Sequence, residues 1–494
     1  MTEHIDCGEQ GQDHEPQEAA TTGDRTVSRR EFVKMAGLAG AGIALAGGLG
    51  GILAACGNAS TTTTTGAAAT TVTAGSTTTA VTAGSTTTGA TVGGTTTSVA
   101  AGGYKTLNDL FGPGGAAAGQ GITWKHGLNT AVTGTSAPIG DHQTEGVKLA
   151  IKAIADAGGP TIDLSVNDHK GGDVQSSVNG VRRLITQEGI QSLTTSWSGC
   201  TIALFPVLAD NKLMTYWSGG ANPAVLNQPY IWSTMMFFAI GPCPGSLAWL
   251  AKTYPNAKKL ALIGASDAGT DAVDKVAPQI WPQVASGGTI VASEKVDPGT
   301  TNFQSIVARV KAANPDVIWT SVYGQTQGFC IKSVRLAGIT VPMMHIDFDV
   351  TAVPQTAGTT LDQDNFYACD AYVAGNQNPF NTIFAQQHKA MFNSDPEYFS
   401  ANTYESMMVL WTCMRRVLAS GTTNITGEAL QKAMLDPSPD HYSLYGGSAD
   451  KPGIMTFKAD HSVNKPMGVF KITQQGVGEQ LAIIYGDSTK IDPV

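Results

Sequence analysis

Residues 122–168 read ITWKHGLNTAVTGTSAPIGDHQTEGVKLAIKAIADAGGPTIDLSVND and carry the pattern of a β-α-β unit. The apolar stretch Ile122–Leu128 predicts a strand, and the alternation over Thr161–Asp168 predicts a second one. Between them, a helix is predicted over Asp141–Ala157, and it ends at Gly158-Gly159. The apolar face of this helix is formed at helical spacing by Val147, Ala150, Ile151 and Ile154. This unit indicates the α/β class.

Strand and helix patterns alternate along the rest of the chain. Further strands are predicted at Ile190–Ser196, Lys212–Ser218, Lys259–Gly264, Thr289–Glu294, Asp316–Val322 and Val341–Asp347. Further helices are predicted around 178–185 and at Thr201–Asn211, Thr270–Ser286, Phe303–Ala313 and Gln325–Ala337. A break near 230–245 divides the series in two, which predicts two doubly wound parallel-sheet lobes. In such sheets ligands bind outside the carboxyl ends of the strands, so the loops there are the candidate sites.

The N-terminal region has the pattern of an export signal. Arg29 and Arg30 precede a weakly apolar run that is mostly Gly and Ala and ends in Leu53-Ala54-Ala55-Cys56. The paired arginines resemble a twin-arginine signal, and the last four residues resemble the lipobox of bacterial lipoproteins. We therefore expect cleavage of residues 1–55 and a lipid on Cys56, which makes the protein extracytoplasmic and membrane-anchored. An uncleaved span is the alternative, disfavoured because Gly is a poor helix former.

A charge-free segment follows the predicted cleavage site. Residues 57–103 consist mainly of Thr, Ala, Gly and Ser, and the heptapeptide TAGSTTT occurs at both 73–79 and 82–88. Such a segment lacks the large apolar residues that offset chain entropy, so residues 56–103 are predicted to be a disordered linker. As a flexible coil, it would reach on the order of 40 Å.

Composition excludes several classes of function. The formal net charge of −9 and the absence of a Lys/Arg cluster outside the export signal argue against nucleic acid as a partner. After Cys7 and Cys56 are set aside, five cysteines remain, an odd number whose pairing the sequence leaves open: Cys200, Cys243, Cys330, Cys369 and Cys413. They form neither a CxxC pair nor a His-Cys cluster, so neither a zinc site nor any other cofactor is expected.

Short motifs recur in order over more than three hundred residues. They are Thr133-Gly134, Gly146–Ala150, Ala157–Gly159, Asn167-Asp168, Ser198–Thr201, Gly219–Pro223, Asn302-Phe303, Asn314–Asp316 and Ala337-Gly338. Their order and spacing resemble those of the substrate-binding proteins of branched-chain amino acid ABC transporters, a family with the periplasmic binding protein type I fold. The resemblance runs from about Ile122 to Tyr485.

This resemblance implies both an architecture and a mechanism. Two lobes would be joined by three crossovers, with residues 121–239 and 374–440 in the first lobe and residues 240–373 and 441–490 in the second. A small solute would bind in the cleft and stabilise the closed form by hinge closure. An ABC permease in the membrane would be the partner that receives the solute.

Two loops are candidates for binding a ligand carboxylate. The candidate residues are Ser198, Gly199 and Thr201 after one strand, and Ser218, Gly220 and Ala221 after the next. Backbone N–H groups and hydroxyls at a helix N-terminus form an anion site, and a glycine-rich turn permits close approach of the backbone. In the family, both loops bind the ligand carboxylate. Ordinary helix capping and a plain turn are the alternatives.

Four more candidates follow from the resemblance: Trp197 and Phe399 in the side-chain pocket, Tyr323 facing the cleft, and Asp347 where a glutamate of the family pairs with the ligand ammonium. Packing in the core is the alternative for the aromatic residues. Asp347 has two alternatives, a structural role or a metal site. The metal site requires a strand that continues to Asp349, so that His345, Asp347 and Asp349 share a face.

Two departures from the family limit the transfer of its specificity. Ile139 stands where branched-chain amino acid binders have a tyrosine, and Asp347 is one methylene shorter than the family's glutamate. We therefore expect the ligand to be an amino acid or a related amide or carboxylate, and the sequence does not identify it further.

A hydrolase is the enzymatic alternative, since Gly264–Gly269 resembles a nucleophile elbow, but Ala268 occupies its last glycine position. A ligand-sensing ectodomain is a third possibility. The C-terminal part has no transmembrane pattern, so either role would require a separate membrane protein, and this favours a permease.

Overall fold

Two β-sheets organise the structure, a computed structural model that describes residues 106–108, 115, 118–370, 379–435, 441–448, 451–485 and 491–493. These residues all fall within one compact unit that runs from residue 94 to 494. The predicted export signal, Cys56 and the predicted linker lie outside the described residues. Within the described part, no helix is both long and apolar enough to cross a membrane.

The first sheet has five parallel strands in the order β2-β1-β3-β4-β5. The strands are β1 Thr123–Thr130, β2 Thr161–Asp168, β3 Ser192–Thr195, β4 Met214–Trp217 and β5 Ile231–Ser233. Its crossover helices are α1 Ala137–Asp156, α2 Val174–Arg183, which continues as a π-helical turn over Leu184–Glu188, and α3 Ser198–Asp210. Strands β3, β4 and β5 are buried at every position, as expected for parallel strands covered on both faces.

Helix α1 follows from the opening stretch of sequence. Its face with Val147, Ala150 and Ile154 is fully buried, and the helix ends before Gly158, whose φ of +84° is in the left-handed region. It begins four residues earlier than predicted, since Pro138 lies in the first turn, where its missing N–H costs no hydrogen bond. A Cβ on Gly146 would lie 2.1 Å from the carbonyl oxygen of Ser400, so only a glycine allows this close helix contact.

The second sheet has eight strands in the order β17-β16-β15-β10-β9-β8-β6-β7. The strands are β6 Lys259–Ala265, β7 Thr289–Val296, β8 Val317–Ser321, β9 Met343–His345, β10 Asn365–Asp370, β15 Pro466–Thr473, β16 Gly476–Tyr485 and β17 Ile491–Pro493. Its helices are α4 Pro242–Thr253, α5 Ala268–Val284, α6 Gln304–Ala313, α7 Gly324–Leu336 and α8 Ala352–Ala357. Strands β6–β10 are parallel, and β15–β17 extend the sheet in antiparallel fashion, which the sequence patterns did not predict.

Three more helices pack on the first sheet: α9 Pro379–Phe392, α10 Tyr398–Ala419 and α11 Gly427–Met434. Helix α10 is buried along most of its length against α1, and the hydroxyl of Thr403 donates to the carbonyl of Gln143 (2.8 Å). We call the first sheet with α1–α3 and α9–α11 the first lobe. We call the second sheet with α4–α8 the second lobe.

Two small hairpins, formed by β11 Tyr442–Ser448 with β12 Lys451–Ile454 and by β13 Thr456–Phe457 with β14 Val463–Asn464, precede β15. The predicted division assigned 441–490 to the second lobe, but the ring of His461 stacks on Trp232 of β5 (4.0 Å between centroids). The buried Nζ of Lys465 lies 2.7 Å from Glu405 of α10. This stretch therefore joins the two lobes.

The thiols of Cys200, Cys243 and Cys330 are buried and form no disulfide. Cys413 is also buried, and its thiol contacts Met434. Burial raises the pKa of the Cys330 thiol to about 12, so this thiol stays protonated and behaves as a small apolar side chain.

Candidate functional site

A cleft of about 550 Å³, partly open to solvent, lies between the carboxyl ends of the strands of the two lobes. Its first-lobe wall is formed by Ile139, Gln143, Ser196, Trp197, Ser198, Gly219, Gly220, Ala221, Met235, Phe238 and Phe399. Its second-lobe wall is formed by Asp267, Gly269, Thr270, Tyr323, Ile346 and Asp347. The cleft is thus mostly apolar, with a few polar groups on each wall, as is typical of small-molecule sites.

The structure brings seven of the ten predicted site residues to this cleft: Trp197, Ser198, Gly220, Ala221, Tyr323, Asp347 and Phe399. Gly199, Thr201 and Ser218 do not line it. The hydroxyls of Thr201 and Ser218 instead turn back to the carbonyls of Ser196 and Thr195, each at 3.4 Å. Both hydroxyls thus bond to backbone carbonyls at the carboxyl end of β3, and their role in ligand binding stays a prediction.

The start of α3 forms the polar end of the first-lobe wall. Ser198 Oγ accepts hydrogen bonds from the backbone N–H groups of Ala221 and Asn222, each at 3.1 Å, which ties together the loops after β3 and β4. As a hydroxyl, Ser198 also retains one O–H donor. Trp197 precedes the helix with a φ of +62°, an uncommon conformation for a bulky residue. Together with the first N–H groups of α3, Ser198 can bind an anion.

Gly220 is required where the two loops meet. Its φ is +147°, and a Cβ there would lie 2.3 Å from Cζ2 of the fully buried Trp217 and 2.7 Å from Ser198 Oγ. A side chain at this position would displace the Ser198 hydroxyl from the two N–H groups that it accepts.

The sequence reasoning missed Gln143 of α1. Its Oε1 accepts from the hydroxyls of Thr130 (2.5 Å) and Ser196 (3.0 Å), which fixes the orientation of the amide. Its Nε2 is buried and has no hydrogen-bond partner among the described residues. Gln143 lies four residues before Val147, on the buried face of the helix. A polar residue on an apolar stripe was the signal that could have found it.

The second-lobe wall carries a carboxylate that was also missed as a ligand group. Asp267 Oδ1 accepts from the N–H groups of Gly269 (2.7 Å) and Thr270 (3.0 Å) and caps α5. Its Oδ2 is buried and makes no hydrogen bond of normal geometry in the described part of the chain. Burial raises the pKa of Tyr323, and the charge of Asp267 and its contact with the Tyr323 hydroxyl raise it further, so this hydroxyl is protonated and is a donor beside Asp267. Ser266, the serine of the hydrolase alternative, is exposed and does not line the cleft.

Asp347 lies in the loop after β9, with a carboxylate that already has a partner. Its Oδ1 accepts a short hydrogen bond from the hydroxyl of Tyr398, which belongs to the first lobe. Burial raises the pKa of Asp347 from 3.8 to about 7, and the carboxylates of Asp349 and Glu397 act in the same direction. Near neutral pH, Asp347 is therefore only partly ionised.

The metal alternative for this loop fails on geometry. The predicted strand Val341–Asp347 is shorter in the structure and ends at His345, whose Nδ1 is paired with the Thr320 hydroxyl (2.6 Å). Asp349 Oδ1 instead accepts from the N–H groups at the start of α8. Across the described residues, no group of three His, Cys, Asp or Glu side chains is placed to hold a metal ion.

Acidic groups from both lobes meet behind Asp347. Glu397 accepts from the N–H groups of Phe399 (2.9 Å) and Ser400 (2.7 Å), which fixes the start of α10 and Phe399 at the cleft. The ring of His142 lies 4.0 Å from Glu397 and 3.2 Å from Glu145. Burial lowers the pKa of His142, but Glu397, Glu145 and Asp349 outweigh burial, so the pKa is raised. The imidazole of His142 thus binds a proton more readily than a free histidine, because it lies among these carboxylates.

Hydrogen bonds between described residues cross the cleft. Besides the bond from Tyr398 to Asp347, Nδ2 of Asn222 in the first lobe donates to the carbonyl of Ala268 in the second lobe (2.9 Å). Both belong to loops that line or adjoin the cleft. The two lobes are therefore in contact around it.

The family model described as periplasmic binding protein matches residues 123–477. Solved structures share the fold at low identity. The substrate-binding protein LivJ of Streptococcus pneumoniae, a branched-chain amino acid transporter protein in complex with isoleucine, is 18% identical, with a TM-score of 0.63 over 74% of this chain and 99% of that chain.

Two further structures extend the range of ligands. A solute-binding protein of an ABC transporter from R. palustris, in complex with benzoate, is 18% identical, with a TM-score of 0.62 over 73% of this chain and 96% of that chain. The leucine-binding protein LivK of Thermotoga maritima is 16% identical, with a TM-score of 0.62 over 74% of this chain and 99% of that chain. At these identities, the likeness shows the fold and leaves the ligand of this chain open.

Proposed function

Because this chain belongs to the periplasmic binding protein family, we propose that it is the extracytoplasmic solute-binding component of an ABC importer. It would capture an amino acid or a related small polar solute in the cleft and present it to a permease. Two findings support a small solute. The chain resembles branched-chain amino acid binders, and its structural relatives include one complex with isoleucine and one with benzoate.

One observation carries the proposal: polar groups of both lobes converge on a single apolar cleft at the carboxyl ends of the strands. Neither lobe contains the whole site. A solute that contacts both walls binds the closed form more tightly than the open form, and so shifts the population toward closure. Closure is the event that a permease can recognise.

We assign roles along the cleft accordingly. The Ser198 hydroxyl and the N-terminus of α3 would bind a carboxylate or carbonyl oxygen, with Gly220 and Ala221 allowing close approach of the backbone. Trp197 and Phe399 would contact the apolar part of the solute. Gly199, Thr201 and Ser218 would shape the loops that hold these groups.

We also propose a lipid anchor at Cys56, after export directed by a signal that includes Arg29 and Arg30. Support comes from the sequence pattern alone. A lipid anchor with a long uncharged linker would keep the lobes close to the permease. Mass spectrometry of the mature protein from bacterial membranes should find a lipidated N-terminal cysteine, and an unmodified Cys56 would contradict this part.

The binding role is tested by a thermal-shift screen of the lobes with amino acids, amides, urea and aromatic acids. A ligand that binds only the native state must raise the melting temperature, by an amount that grows with ligand concentration. Calorimetry would then give a dissociation constant with one site per chain. If no solute shifts the melting temperature while an ester is hydrolysed, the transport proposal is wrong and the hydrolase alternative replaces it.

A further inference from the structure

Two buried polar atoms without partners face the same cleft from opposite walls. Gln143 Nε2 is a donor in the first lobe, and Asp267 Oδ2 is an acceptor in the second lobe. Buried polar groups in folded proteins are almost always hydrogen-bonded, because an unsatisfied group has lost its water without a replacement. Gln143 is held in place through its Oε1 and Asp267 through its Oδ1, so neither side chain can easily turn away from the cleft. A solute with a matching acceptor and donor would satisfy both.

The two walls approach closely at this place. A Cβ on Gly269 would lie 3.1 Å from both Asp267 Oδ1 and Ser198 Oγ, so these two oxygens are at most about 6 Å apart. A Cβ on Gly219, which also lines the first-lobe wall, would lie 3.4 Å from Gln143 Nε2. The Ser198 hydroxyl and the Asp267 carboxylate therefore face each other across a gap that one small head group can bridge, and Gln143 lies on the same wall as Ser198.

Charge decides which head group fits. No Lys or Arg side chain lines the cleft among the described residues, whereas Asp267 and Asp347 both do. A solute that carries only a carboxylate would add a negative charge to a cleft whose opposite wall already carries carboxylates. A solute with an ammonium or a similar N–H group beside its carboxylate would offset that charge, because a desolvated carboxylate requires a charged or strong donor.

We propose that Gln143 and Asp267 are the pair of residues that sets ligand specificity. Gln143 donates to the carboxylate or carbonyl oxygen of the solute, and Asp267 Oδ2 accepts from its ammonium or N–H group. The inference rests on the proposed solute-binding function and deepens it: the solute is zwitterionic, with its amino group on Asp267.

The same geometry assigns Asp347 a different role from the one that the family resemblance implies. Its Oδ1 is bonded to the Tyr398 hydroxyl, and Asp349 and Glu397 crowd it from behind. Asp347 thus connects the two lobes, and its loss should affect closure more than recognition of the amino group.

The experiment measures binding by isothermal titration calorimetry with the twenty amino acids and, for the tightest binder, its analogue without the amino group. We expect the wild-type protein to bind the amino acid at least 100-fold more tightly than this analogue. Asp267→Asn keeps the Oδ1 cap, and Gln143→Glu keeps the Oε1 acceptor. Each variant should bind the amino acid at least 30-fold more weakly than the wild type does. The affinity of Asp267→Asn for the analogue should stay within threefold of wild type or improve.

Asp271→Asn is the matched control, since Asp271 is a half-exposed carboxylate on the same helix and does not line the cleft. It should stay within threefold of wild type, and Asp347→Asn, which keeps an oxygen that can accept from Tyr398, should weaken binding of the amino acid less than Asp267→Asn does. The inference is overturned if Asp347→Asn abolishes binding while Asp267→Asn does not, or if the wild-type protein binds the analogue as tightly as the amino acid. The wild-type comparison decides even if a variant fails to fold. If aromatic acids without an amino group are the only ligands, the inference fails and the solute-binding function stands. If no solute binds at all, both fail.

Discussion

The two walls of the cleft differ in the kind of polarity that they contribute. The first-lobe wall offers uncharged donors, namely the hydroxyl of Ser198, the amide of Gln143 and the N-terminus of α3. The second-lobe wall offers carboxylates, Asp267 and Asp347. Under the proposed function, a solute would be oriented with its acceptor end in the first lobe and its donor end in the second. Closure would then bring complementary groups together, and we expect each lobe alone to bind weakly.

The walls also differ in rigidity. Ser198 is fixed by two N–H groups from the neighbouring loop, whereas Asp347 is fixed by a hydroxyl from the other lobe. Substitutions in the first wall should therefore alter contacts within one lobe and lower the stability of the fold. Substitutions in the second wall should mainly change closure of the lobes and the pH dependence of stability.

The largest effect is expected for Gly220→Ala in the first wall. The added Cβ meets the buried Trp217 ring at 2.3 Å, and the φ of +147° is one that alanine rarely adopts. We expect the free energy of unfolding to fall by about 3–4 kcal/mol and ligand affinity to fall by more than tenfold. Chemical denaturation and calorimetry measure the two effects.

Gly287→Ala is the matched control for Gly220. It also has a positive φ (+75°), but no atom lies within 4 Å of its Cβ position. It should cost only about 1 kcal/mol, the penalty of the backbone conformation, and leave affinity unchanged. Equal losses in the two variants would show that the first wall is not closely packed.

The second effect concerns the pH dependence caused by Asp347. Its folded-state pKa of about 7 lies above its ordinary value of 3.8, so the folded protein holds a proton that the unfolded chain releases between these values. The free energy of unfolding therefore falls as pH rises from about 4 to 7. Asp347→Asn removes this group. Between pH 4.5 and 7.5, we expect the free energy of unfolding of this variant to fall by about 2 kcal/mol less than that of the wild type. Denaturation at pH 4.5 and 7.5 measures it, and an unchanged pH profile would contradict the buried, protonated state.

A third variant, Tyr398→Phe, cuts the hydrogen bond from the first lobe to Asp347. Loss of a hydrogen bond to a buried carboxyl should cost about 1–2 kcal/mol, which weakens ligand binding by roughly tenfold if the bond forms on closure. Tyr404→Phe makes the same chemical change on the same helix, where the buried hydroxyl has no hydrogen-bond partner within the described part. It should be neutral or slightly stabilising. A similar loss of stability in both variants would show that Tyr398 contributes through the packing of its ring and not through the hydrogen bond.

The smallest effect is expected for Asn222→Asp at the edge of the cleft. The variant keeps the oxygen that caps Ala224 but loses the Nδ2 donor to the carbonyl of Ala268. Ligand affinity should fall by a factor of about 3–5, corresponding to roughly 1 kcal/mol. Asn179→Asp, on the exposed face of α2, should leave affinity unchanged. An unaltered affinity in Asn222→Asp would show that this bond does not stabilise closure.

The alternation of strands and helices was predictable because each element carries a local period. Helix α1 and the strands beside it follow from spacings that repeat every two or 3.6 residues. The antiparallel strands β15–β17 were not predictable in this way, since their neighbour β10 lies about a hundred residues earlier in the chain. The strand at 341–347 was predicted too long because its apolar residues continue past the point where pairing ends.

The candidate site was predictable wherever a loop follows a strand. Ser198 was found because its position after a strand is a local property, whereas Trp197 and Tyr323 were named from the family resemblance. Gln143 and Asp267 were missed as ligand groups because each has an ordinary local role, on a helix face and as a helix cap. What marks them is an unpaired atom, and pairing depends on neighbours that are distant in the sequence.

Spacing and turn residues within a few positions were enough to predict the α/β class, the order of the elements up to residue 347 and the loops that border the cleft. Which polar atoms in the cleft remain without a partner depends on the folded structure. Burial and hydrogen bonding are settled between residues such as Tyr398 and Asp347, which belong to different lobes and meet only when the chain is folded.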